Sequence, residues 1–298
     1  SGSGHITLKA TDDIMLGTGA DISTTGSGTL DLDAGTGSLT MATDATLSTV
    51  DGDIRLRAGD AITDTETDQL VIGRITASNA NVSLQTTGSV LDADSGEDES
   101  KSGAEGIQVD ITAKGLRIDA GKGVGLLSGN SLSATANALE TTVDILSAHI
   151  RGSDGLNLLE SDALTIGDIV SQTDTQYAVA VQTVTLDATT SASTESIQSD
   201  VVTSNANGDN GSIVIRTTAG NLTLREGTAI TDLDDDAAIV AHGSGNILLQ
   251  AIGAGTSLVA EANADIHSGS GHITLKAADE IMLGTGADIS TTGSGTLD

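Results

Sequence analysis

The sequence predicts an all-β chain, a parallel β-helix (β-solenoid) with coils of about 24 residues set in tandem units of 267. Three observations predict it. Glycine-led segments of alternating apolar and polar residues recur at a fixed 24-residue step. A longer stretch repeats almost unchanged at an offset of 267. The composition suits a narrow aliphatic core: Phe, Trp, Pro and Cys are absent, Tyr177 is the single aromatic residue, and 37 of 298 residues are glycine.

The elements follow in order. Gly4 opens GHITLKA, Gly28 opens GTLDLDA and Gly52 opens GDIRLRA. Their apolar positions superpose as Ile6–Leu30–Ile54 and Leu8–Leu32–Leu56, followed by Ala10–Ala34–Ala58. Alternation with period two marks a half-buried strand, because successive side chains point to opposite faces. Looser copies run at 81–86, 106–112, 155–161, 184–189, 211–217, 220–226 and 245–251, with Gly, Asn, Asp and Ser as turn residues between them. The stretch 131–150 comes nearest to helical periodicity, yet its VDILSAHI alternates and reads as strand. At the 24-residue step, Lys9, Asp33 and Arg57 become cross-strand neighbours, as do Asp31 and Arg55. Opposite charges in such a column attract, at roughly 0.2–1 kcal/mol per pair.

Residues 1–31 and 268–298 differ only at Thr11/Ala278 and Asp13/Glu280, so 29 of 31 positions match. Residues 1–267 therefore read as one unit and 268–298 as the opening of the next, in a parent chain expected to hold further units. At 24 residues per coil, a unit would hold about 11 coils and extend roughly 50 Å, since paired strands sit about 4.8 Å apart. Three immunoglobulin-like domains of 89 residues would also divide 267, but that fold expects a buried core aromatic.

Forty-two acidic against 12 basic side chains leave a net charge of −30. That excludes the basic footprint of a nucleic-acid binder and attraction to anionic lipid. No apolar run approaches the ~18 residues of a membrane span, and no insertion of this segment into a membrane is expected. Without cysteine there is no disulfide frame, thiolate metal site or cysteine nucleophile.

The GHITLKA, GDIRLRA and GNILLQA pattern, with its ADIST-like and TGSG-like turns, resembles the haemagglutinin-type repeats of filamentous haemagglutinin and related giant bacterial exoproteins. The resemblance covers most of the chain. It implies a right-handed parallel β-helix, export to the cell surface, and service as a fibre or adhesin shaft. The implied partners are neighbouring units end to end, other shafts, and host or neighbouring cell surfaces.

Catalytic patterns are absent: neither GxSxG nor HExxH occurs, and GKG at 121–123 lacks the first glycine of a phosphate loop, with Leu116 in its place. His5 and His272 are one site in two copies, at an outward strand start. No enzyme and no required cofactor is expected. A β-helical carbohydrate-active enzyme is the third reading, weakened by the single aromatic available to stack on sugar. Calcium is the strongest ion candidate, because hard cations take carboxylate and carbonyl oxygens from acidic loops. The acidic insertion at 92–105 offers Asp92, Asp94, Glu97 and Asp98 as ligands, with Glu99 beside them. Asn205, Asn207 and Asp209 alternate similarly, but Asn210 stands where an EF-hand requires glycine. A calcium-dependent adhesive module is thus the second reading.

Overall fold

Alternating aliphatic segments separated by glycine turns can bury one face only by stacking on their neighbours, and the computed structural model has them stacked. It describes residues 2–59, 68–94, 108–127, 137–203, 211–228 and 237–298. Among these, every regular element is a strand; 25 strands form one parallel sheet, and two more form a separate antiparallel hairpin. The large sheet is solenoid-like. A strand typically pairs not with its sequence neighbour but with the third strand before and the third after, which divides the sheet into three stacks.

The first stack begins with Ile6–Lys9, Leu30–Asp33 and Ile54–Ala58 in the 24-residue register. One inward column runs through Leu8, Leu32, Leu56, Leu84, Ile118, Ala148, Val201, Ile239, Ile266 and Ile289. Along it the step is 24 residues twice, then 28, 34, 30, 53, 38, 27 and 23. Coils near 24 residues therefore stand at the two ends, and those between are longer. The extra length falls between strands without breaking the pairing, so the unit has fewer coils than a uniform step predicts. The strand reading of the VDILSAHI stretch is met by Leu139–Ile150.

The core is a file of aliphatic side chains. Leu30, Leu32, Ile54, Leu56, Leu70, Ile75 and Leu84 are fully buried, and their stacking explains how a chain without Phe or Trp fills its interior. Each step buries large apolar groups at roughly 1.5–3 kcal/mol per side chain. The glycine that opens each segment has a steric cause. A Cβ at Gly52 would overlap the carbonyl oxygen of Gly28 in the preceding coil, and one at Gly271 would overlap that of Gly245.

The repeated sequence does not return to the stack it left. Ile273, the copy of Ile6, lies over Ile247, Ile213 and Leu156 in the second stack. Ile289, the copy of Ile22 from the third stack, closes the column that Leu8 begins. Each copied strand stands one stack further round.

Candidate functional site

Among the described residues, charge interrupts the aliphatic pattern in several places, and two of these clusters bear on function. The first forms where three strand starts or ends meet. Asp92 ends the strand Val90–Asp92, Asp110 immediately precedes Ile111–Ala120, and Glu140 is the second residue of Leu139–Ile150. Asp110 and Glu140 are 30 residues apart, the local coil length, since Ile111 pairs with Thr141. Stacking thus sets their backbones together: the Asp110 N–H donates to the Glu140 carbonyl, and the Glu140 N–H donates to Asp110 Oδ2 at 3.0 Å. Asp92 Oδ1 accepts from the Asp94 N–H at 2.8 Å, and its Oδ2 accepts from Asn137 Nδ2 at 3.0 Å. One oxygen from each of Asp92, Asp110 and Glu140 lies within 4.8 Å of the others, and all three residues are buried.

Burial pushes the Asp110 carboxyl far above the ordinary carboxylate range; the charges of Asp92 and Glu140 and its hydrogen bond to Asp92 push the same way. Asp92 is also raised, chiefly by burial. Like charges in a dry site cannot all ionise cheaply, so the trio either retains protons or gathers around a cation. Three convergent carboxylates suit a hard divalent ion in ligand type. Of the sequence candidates, the structure brings Asp92 into this cluster and leaves Asp94 as its backbone donor. Glu97 and Asp98 lie outside the described residues, as do Asn205, Asn207 and Asp209. Asp110 and Glu140 escaped sequence reading because each is a single acid beside a strand; the only available signal was their separation by one local coil.

Two more titrating groups share the interior. Burial pushes Glu160 up to about 7, against the bonds it accepts from Thr141 and Val143, and pushes His149 down to about 4. A raised carboxyl supports folding fully below its unfolded value, and that support is lost as pH rises through the folded one. His149 acts oppositely: its support is complete above its ordinary value of 6.5 and is lost as pH falls through about 4. Between about pH 6.5 and 8 Asp110 therefore acts unopposed, joined by Glu160 as far as about 7, each removing up to about 1.4 kcal/mol per pH unit. Melting temperature in metal-free buffer is expected to fall across that interval, and Asp110→Asn is expected to flatten the fall. Thermal melts at fixed ionic strength check this, and a flat profile in the unsubstituted protein would refute it.

The second cluster lies outside the first stack. The sequence placed Asp31 and Arg55 as outward neighbours, and they are paired at 2.8 Å, yet only 0% and 1% of their side chains are exposed. What covers them is the hairpin of Val179–Val184 and Thr190–Glu195. Arg55 donates from Nε to Asp31 Oδ1 at 2.9 Å and from Nη1 to Ser193 Oγ at 2.6 Å and Glu195 Oε1 at 3.2 Å. Arg57 also pairs with Glu195, and Thr183 Oγ1 donates to Asp31 Oδ2 at 2.8 Å.

The hairpin crosses the coils. The N–H groups of its strand Val179–Val184, the one against the coils, descend the first stack: Ala180 to Asp53 Oδ2 at 2.8 Å, Gln182 to Thr29 Oγ1 at 2.9 Å and Val184 to Thr7 Oγ1 at 2.8 Å. Side chains of successive coils thus satisfy a strand edge that would otherwise be open to pairing. Near its base, Asn81 Nδ2 donates to the carbonyls of Val170 and Ala178, and Ser171 Oγ donates to Asp53 Oδ2. His5 and His272 make the same contact in the two copies, to Thr29 Oγ1 at 3.0 Å and Thr296 Oγ1 at 2.8 Å. Lys122 of the GKG segment sits in a turn whose N–H donates to the Gly88 carbonyl.

No protein-family model matches the chain, and neither does a curated protein or a solved structure.

Proposed function

We propose that the chain is a length of extracellular shaft from a giant surface fibre or adhesin, a parallel β-helix whose work is rigid extension. The resemblance to haemagglutinin-type repeats supplies its right-handed sense, its export and its cell-surface setting. The observation that carries the reading is continuity. The copied segment Ile273–Ala277 pairs residue for residue with Ile247–Ala251, so one unit passes into the next without a break in the ladder. The partners of a unit are then its neighbours end to end, with other shafts or cell surfaces alongside. The covered, aliphatic interior supports a role that needs length rather than a reacting group, in preference to a carbohydrate-active enzyme.

Counting along the stacks, the chain makes eight turns and a third of another between Ile6 and its copy Ile273. At about 4.8 Å per turn a unit adds roughly 40 Å and rotates the next by about a third of a turn. Electron microscopy of proteins with one, two and three units in tandem tests this. Rods lengthening by that increment support the shaft; compact particles, or increments of roughly 100 Å expected of serial globular domains, overturn it.

The buried acids favour a second reading, a calcium-dependent adhesive module. Calcium would be held by Asp92, Asp110 and Glu140 and would replace the protons the cluster otherwise keeps. A calcium-dependent rise in melting temperature that Asp110→Asn removes supports it; no rise beyond the ionic-strength control ends it.

A further inference from the structure

The hairpin points towards one end of the stack and overshoots it. Its bonds step from Asp53 to Thr29 to Thr7, one coil for every two hairpin residues. Two extended residues rise about 6.7 Å against about 4.8 Å per coil, so the hairpin runs obliquely along the stack. Two residues beyond Val184 comes Leu186, past the first coil. Leu186 is fully exposed. The turn that carries it is already organised: the carboxylate of Asp187 accepts from Thr185 Oγ1 at 2.6 Å and from the N–H and Oγ1 of Thr189 at 3.2 and 2.7 Å. An apolar side chain held out on a rigid turn loses little entropy when it docks.

The repeat identifies what lies under it. Thr274 is the copy of Thr7, and Thr296 the copy of Thr29, so the hairpin's platform is present a second time. One coil below Thr274, in register, stands Leu248, with Val214 below that. Both alternate with the buried Ile247, Leu249, Ile213 and Ile215 and so face outward, partly exposed. We propose that the hairpin is a clasp between units: Leu186 of each unit docks on Leu248 of the unit before it in the same chain. This rests on the shaft reading, because it requires units in tandem. A unit's own hairpin is bound to the coils of Thr7, Thr29, Asp53 and Asn81, several coils from Leu248, so it leaves the partly exposed Leu248 free to receive the next.

The test uses a chain of two units in tandem, ended by residues 268–298. It has no native cysteine, so introduced thiols are the only ones. Leu248→Cys in the first unit and Leu186→Cys in the second are expected to close into an intrachain disulfide on mild oxidation. Thr7→Cys with Val184→Cys, both in the second unit, is the control for a docked hairpin. If the control closes and the inter-unit pair stays reduced, the hairpin lies flat without clasping and the proposal fails. If neither closes, the hairpin is not docked and the proposal fails with it. Bridges only between separate chains overturn it as well, by making the contact lateral. Rod length measured on the same two-unit protein reports the shaft reading independently, so loss of the clasp and loss of the shaft are told apart.

Discussion

Leu32→Asp is expected to destroy the cooperative unfolding of the coils around it. Leu32 is fully buried and sits between Leu8 and Leu56 in the inward column. Losing the leucine volume alone costs about 2–5 kcal/mol, and the new carboxyl must either ionise in an aliphatic file or take up a proton there. Stability in a stacked array is a sum over neighbours, so the damage should spread outward from that coil and then stop. Circular dichroism melts should lose part of the β signal at a much lower temperature, while the far end of the chain melts as before. Superimposable melts for the two proteins would show that this column is not the core.

Arg55→Ala is the second large effect, and its mechanism is electrostatic. The guanidinium bridges Asp31 and Glu195, joining the first stack to the hairpin. Removing it leaves Asp31 buried and short of its cation, at a cost of about 3–5 kcal/mol for a broken buried pair. The hairpin should then lift away, because Ser193 and Glu195 lose the same partner. Hydrogen exchange should rise across 179–195 with little change in the strands of the second stack. Adding Asp31→Asn to Arg55→Ala should recover part of the loss, since no unpaired charge then remains. Equal exchange in the hairpin before and after substitution would remove Arg55 from its attachment.

Much of the stack was legible because a solenoid is nearly one-dimensional. The register of Ile6, Leu30 and Ile54 follows from a 24-residue spacing visible without coordinates, and the opening glycines mark where one coil's carbonyl crowds the next. The charge columns were legible too: Lys9 meets Asp33 at 3.8 Å on the surface. Their burial at Asp31 and Arg55 was not, because the cover comes from a segment more than 100 residues away. Its VTLDAT, 184–189, reads as one more strand of the stack. Instead 185–189 make the turn of the hairpin, and strand stands only on either side of it, in Val179–Val184 and Thr190–Glu195.

By itself the sequence determined the all-β class, most of the strand segments, their inward faces and the near-identity of the two ends. These depend on side-chain alternation, turn residues and self-similarity, which are local or periodic and survive as pattern. Only the tertiary structure decided that the unit makes eight turns and a third, that a hairpin folds back over the first coils, and that Asp92, Asp110 and Glu140 converge. Each of these depends on the summed lengths of insertions and on contacts between segments that share no pattern. A few residues more or less between strands leave every local period intact, yet they change which side chains share a coil.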